Sequence, residues 1–274
     1  MIELDKIENY IMFSQKFYLN NNFDISKINW DSYQEGKLSQ IHSKVIKMNV
    51  ATEFAALPAT VSILKQIPES HQDLRSSIIK WVHDENKHAY ILNEYANRFI
   101  TNGVLLDAEF NEIGIDFSEE DFSVAASLAL HMCTELSTIR WYTKMIDWFE
   151  EPLIKSMYKS LLIDESNHAS MFKHFLKELT TKENLKEVLT VFHLFMIKKH
   201  FISIKMVSSS NIEKQTIQSR LPDPELFDIF LNDILKYNDD DIKLLHDKLL
   251  SIASEISGVE LLTVNDLKRF RKTL

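Results

Sequence analysis

His83-Asp84-Glu85-Asn86-Lys87-His88 and Ile163-Asp164-Glu165-Ser166-Asn167-His168 are the two stretches on which the reading of this chain turns. Both contain Asp-Glu-x-x-His. On a helix, residues three apart lie on one face, one above the other. Glu85 with His88, and Glu165 with His168, therefore present a carboxylate and an imidazole together, a pair suited to one metal ion. Working outward, Glu53 stands 32 positions before Glu85 and Glu135 stands 30 before Glu165, so the chain holds two similar helix pairs. Both outer glutamates sit in apolar surroundings, Val50–Leu57 and Leu128–Ile139. A carboxylate buried there is costly unless it is paired or bound to a cation. The bland alternative is four unrelated acids in separate salt bridges, but two copies of the motif at matched distances from two such glutamates argue against it.

Facing helices of this kind would hold two metal ions, with one Glu-x-x-His pair from each motif and Glu53 and Glu135 completing the set. That scheme matches the ferritin-like di-iron proteins. Carboxylate and imidazole ligation suits two iron ions, with a mixed manganese–iron pair also possible. Asp84 and Asp164 precede the motif glutamates. Their expected role is to accept the second ring N–H of the histidine in the opposite motif and so fix its tautomer; a solvated helix-surface charge is the other reading.

The rest of the chain fits an all-α protein. Only four glycines and five prolines occur in 274 residues, too few for the turns of β-rich or α/β folds. Helical patterns are expected over Trp30–Ile67 with Pro58 inside, Glu69–Ile100 closed by Asn102-Gly103, Ser118 to about Phe149, and Glu151-Pro152 to about Leu179. Further helices are expected over about 183–207, 224–236 and 240–257, with Ser208–Asn211 as a linker. The expected architecture is a single domain over 1–274: a ferritin-like four-helix bundle over about 30–179 with additional C-terminal helices over 180–274. A formal charge of −9 speaks against nucleic acid as a partner. The single cysteine, Cys133, excludes an internal disulfide framework and fits a reducing compartment. No signal peptide is evident in MIELDKIENYIMF and no apolar run reaches 18 residues, so a cytoplasmic protein away from membranes is expected.

The motifs also carry a family resemblance, over about residues 45–178. Thr52-Glu53-Phe54-Ala55-Ala56-Leu57-Pro58 resembles the Thr-Glu-Glu-Ala-Leu-Pro segment of soluble acyl-carrier-protein desaturases, with one residue more. Asp84–His88 resembles their Asp-Glu-Asn-Arg-His, and Asp164–His168 their Asp-Glu-Lys-Arg-His. The ligand spacings and two-motif layout are more similar to the p-aminobenzoate N-oxygenase family. The resemblance implies a di-iron oxygenase or oxidase that reacts with O2 and oxidises a small or carrier-bound organic substrate by N-oxygenation, hydroxylation or desaturation. It implies a monomer or homodimer with an electron donor of unknown identity. The alternative class is a ferroxidase that handles iron.

The resemblance also places Thr138, three residues after Glu135, beside the O2 site; back-bonding to the preceding helical turn is its other reading. N-oxygenases use an additional histidine one turn before the last motif, where this chain has Leu161; His131, one turn before Glu135, is the candidate for that extra ligand or else a core residue. Phe54, Leu57, Trp81, Met132 and Phe172 lie near the ligands and would line an apolar pocket or plain core. Trp141 and Trp148 are read as electron carriers or packing. His193 and His200 are read as surface or packing residues, and Tyr90 and Tyr142 match no radical-site motif.

Overall fold

The computed structural model describes residues 24–54, 56–100, 123–197 and 239–274, and every regular element among them is helical. Two short 3-10 turns, Ile25–Lys27 and Trp30–Ser32, precede α1 (Gln40–Phe54) and α2 (Ala56–Gln66). Then come α3 (Gln72–Phe99), α4 (Val124–Trp148), α5 (Pro152–Leu179), α6 (Leu185–Ile197), α7 (Asp239–Ser257) and α8 (Val264–Thr273).

The first expected helix starts later than the sequence suggests. It begins at Gln40 rather than Trp30, because Gly36 takes a left-handed turn at φ 80° that no helix continues through. Helix is described on both sides of position 55, with Pro58 inside the second stretch as the sequence suggests. α4 starts later than expected. Its cap is Ser123, whose hydroxyl accepts from Ala126 N at 3.2 Å; Ser118 and Asp121 lie outside the described residues, as do Asn102-Gly103, residues 198–238 and the Ser208–Asn211 linker. α5 begins as expected, with Pro152 as its first residue. Its cap, Glu151, is fully buried and its carboxylate accepts from Leu153 N (3.1 Å), Ile154 N (2.8 Å), Gln34 N (3.1 Å) and the Tyr95 hydroxyl (2.8 Å). α8, with a capping box formed by Thr263 and Asp266, was not anticipated.

Two apolar clusters fill the molecule. One joins Leu74, Ile78 and Trp81 of α3, Ala125–Cys133 of α4 and Met171–Leu176 of α5 to α6, α7 and α8. The other joins Val45–Val50 of α1, Ile91–Ala96 of α3, Tyr142 and Met145 of α4 and Leu153–Leu161 of α5. These memberships fix the directions. α3 and α4 both run from the first cluster to the second, while α5, and α1 continued by α2, run the opposite way. α1 packs along α3, α4 along α5, and α3 meets α5. α3 therefore ends at one end of the bundle and α4 begins at the other. The C-terminal helices are continuous with the first cluster: Leu189, Phe192, Leu249 and Leu267 share it with the bundle helices. No described helix is long and apolar enough to cross a membrane.

Candidate metal centre

Between the two clusters lies a belt of polar residues in the bundle interior. On α3 the buried stripe Leu74, Ile78, Trp81, Glu85, His88, Leu92, Tyr95 keeps the three-to-four spacing of a core-facing helix and changes chemistry only at its middle. On α5 the stripe Leu161, Glu165, His168, Phe172 does the same. Glu53 of α1 and Glu135 of α4 face this layer. All six are buried; His88 is fully enclosed.

Their donor atoms form two overlapping sets. Glu53, Glu85, His88 and Glu165 offer ligand atoms within 4.8 Å of one another, and so do Glu85, Glu135, Glu165 and His168. Glu85 and Glu165 belong to both. In the first set His88 Nδ1 lies 3.2 Å from Glu165 Oε1 and 3.5 Å from Glu53 Oε2. In the second, His168 Nδ1 lies 2.9 Å from Glu85 Oε1, 3.2 Å from Glu165 Oε2 and 3.7 Å from Glu135 Oε2. Despite the short separations, Glu85 Oε1, Glu165 Oε1 and His88 Nδ1 are buried with no hydrogen-bond partner. Buried polar atoms are rarely left so. Lone pairs that converge without bonding one another are what a bound cation would satisfy. Four carboxylates and two neutral imidazoles also match the charge of two divalent ions, so the residues fit the group that the sequence implied.

The far side of each imidazole is fixed. His88 Nε2 pairs with Asp164 Oδ2 at 3.0 Å and His168 Nε2 with Asp84 Oδ2 at 3.3 Å, each aspartate serving the histidine of the other motif. With Nε2–H donated outward, Nδ1 keeps its lone pair for the centre. Lys87, its side chain only 10% exposed, joins the two aspartates at 3.3 Å from Asp84 Oδ1 and 2.8 Å from Asp164 Oδ2, and Lys80 also pairs with Asp84.

Without metal these groups compete for protons. Burial, followed by the charges of Glu85 and Glu165, raises Glu53 well above the usual carboxylate range; burial with Glu165 and Glu85 does the same to Glu135. Glu165 goes the other way: burial raises it, but the neighbouring His168 and His88 imidazoles outweigh that and hold it well below the usual carboxylate range. Burial pulls both histidines down, but the surrounding carboxylates outweigh it and hold them well above the ordinary imidazole value. Asp84 and Asp164 are held below the usual range, burial being overcome by His168 and Lys87 for the first and by His88 and Lys87 for the second.

Other expected residues fall outside the two sets. His131 is buried 4.9 Å from the Trp81 ring and 5.4 Å from that of Phe172, and burial pushes its pKa down to about 4. Thr138 donates its hydroxyl to Thr134 O at 3.1 Å; a relay through it requires that hydroxyl to turn away from the backbone. Met132 and Phe172 are core, while the side chains of Phe54 and Leu57, and all of His200, lie outside the described residues. Trp141 donates to Met145 Sδ at 2.7 Å, Trp148 packs on His42, Tyr90 is exposed, and His193 is buried. Two residues took on their roles only in three dimensions. Trp81 donates from Nε1 to Glu135 Oε1 at 2.8 Å, and Lys87 bridges the aspartates. The spacing of Trp81, one turn before Glu85, was the available signal for the first.

Comparison with family models, with curated proteins and with solved structures finds no match to this chain.

Proposed function

We propose that the chain is a non-haem di-iron oxygenase or oxidase of ferritin-like architecture, which uses O2 to oxidise a small or carrier-bound organic molecule. The observation that carries this reading is the sharing of Glu85 and Glu165 between two four-residue ligand sets. Two shared carboxylates, with one glutamate and one histidine for each position, form the donor arrangement of a coupled metal pair. The topology supports it as well: α3 and α4 run parallel, so one connection must join opposite ends of the bundle, as in ferritin-like folds.

In this reading Glu53 and His88 would hold one iron ion and Glu135 and His168 the other, with Glu85 and Glu165 available to both. The iron pair, when bound, supplies the reduction of O2 and the oxidising power. The protein supplies the rest. Asp84 and Asp164 orient the imidazoles and hold their outer protons. The apolar clusters above and below the belt keep water from the layer. Raised affinities for protons at Glu53, Glu135, His88 and His168 make these four the groups that would give up protons when metal enters.

The test is anaerobic loading with ferrous iron, removal of excess metal, then exposure to O2 with an electron donor and a panel of amines, acyl thioesters and aromatic acids. Retention of about two irons per chain and oxidation of a panel member support the reading. Uptake of many irons per chain with no organic oxidation, in a particle of hundreds of kilodaltons, would support a ferroxidase instead.

A further inference from the structure

Trp81, His131 and Phe172 form a buried aromatic layer against the metal belt. Each stands one turn from a ligand on its own helix: Trp81 before Glu85, His131 before Glu135, Phe172 after His168. The Trp81 ring meets His131 edge-on at 4.9 Å and Phe172 at 5.2 Å, and His131 stacks on Phe172. With its ring locked between these two, Trp81 aims Nε1 at Glu135 Oε1, 2.8 Å away, and only Glu135 Oε2 faces His168 Nδ1. The corresponding glutamate on the other side is not held this way. Among the described residues, Glu53 is paired only with His88.

We infer that Trp81 is a positioning residue that tethers Glu135 to single-oxygen ligation and so makes the two metal positions unequal. The inference rests on the di-metal reading of the site. An indole N–H takes up one lone pair of the carboxylate oxygen it holds and so favours metal ligation through the other oxygen. Glu135 is thus biased to one mode, while among the described residues no donor from outside the belt holds Glu53. A metal held with His168 would then meet Glu135 through Oε2, and one held with His88 would meet an untethered Glu53. A neutral N–H also withdraws charge from Glu135 without adding a proton that a ligand would have to lose, unlike a lysine or imidazolium there.

The test is cobalt(II) titration of the metal-free full-length protein by calorimetry, with helicity checked by circular dichroism. It compares wild type with Trp81→Phe and with benzothienylalanine at position 81, which keeps the indole shape but lacks the N–H. Both replacements are repeated in Glu53→Gln, which leaves the Glu135 position, and in Glu135→Gln, which leaves the Glu53 position. The expected result is a loss of about tenfold or more in cobalt affinity in the Glu53→Gln background, in keeping with outer hydrogen-bond partners of metal ligands. Affinity in the Glu135→Gln background stays within about twofold. A purely structural tryptophan would weaken both alike. If a single-site background holds no cobalt, the wild-type isotherm decides: one weakened step supports the tether, and two or none overturn it. Equal losses in the two backgrounds, or no loss in Glu53→Gln, overturn the tether and leave the metal reading standing. A folded wild type that binds no cobalt overturns both.

Discussion

Residues in the belt are chosen for what they do to protons as much as for what they offer a metal. Folded-state values of Glu53 and Glu135 lie above the unfolded 4.5, so these carboxylates ionise less readily in the native state. The unfolded chain then binds fewer protons, and the metal-free protein loses stability as pH rises above 4.5. His88 and His168 have folded values above the unfolded 6.5, so their contribution is complete below 6.5 and is lost as pH rises through the folded values. Both effects have one sign. Thermal melts of the metal-free protein should show Tm falling as pH is raised from 6 to 9, and cobalt affinity should rise over the same range. A flat or opposite trend would mean that these groups do not share protons as the geometry implies. Lys87 acts on the same layer from outside. Lys87→Met leaves Asp84 and Asp164 without their common cation, and a 10- to 100-fold loss of metal affinity at both positions is expected, recovered in part by Lys87→Arg. Cobalt titration reads this directly; loss at one position alone would contradict it. The ligand residues were legible from Asp-Glu-x-x-His spacing because helical geometry forces i and i+3 together. Trp81 and Lys87 were not, since their partners are 54 and 77 positions away and only the bundle brings them close.

At the scale of the elements, most of the helix limits that shape the site are set by side chains that satisfy backbone groups. Glu151 is the plainest case. It accepts four donors from α5, α3 and the segment before α1, with no exposure to water. Glu151→Ala removes a cap and leaves buried donors unmatched, so a loss of about 3 kcal/mol is expected from urea denaturation. Metal stoichiometry should hold in the folded fraction. A change below about 0.5 kcal/mol would show that water replaces the carboxylate there. Glu151-Pro152 was readable as a helix start because a cap followed by proline at the first position is a local signal. The late start of α1 was harder, because only Gly36 marks it.

Across the whole molecule, two apolar masses clamp one polar layer. The C-terminal helices belong to the mass on the Trp81 side. Leu267 of α8 is fully buried in it. Leu267→Ala should cost about 3 kcal/mol by cavity formation while leaving metal content unchanged; loss of metal in the folded variant would show that α8 props the site itself. Asp241 at the start of α7 pairs with Arg140 and, at 2.8 Å, with Lys144, which ties the same unit to α4 just past Glu135. None of this was visible in the sequence, where residues 180–274 carry no motif. Helix packing there is encoded in ordinary leucines, which say that a helix is covered but not by what.

The central claim is that Glu85 and Glu165 are shared between two metal positions. The most direct measurement is iron per chain after anaerobic loading and removal of excess metal, in four single alanine variants that remain helical. The shared arrangement predicts about two irons in the wild type, about one in Glu53→Ala and Glu135→Ala, and close to none in Glu85→Ala and Glu165→Ala. Equal retention in all four variants, or a folded wild type that holds no iron, would contradict it.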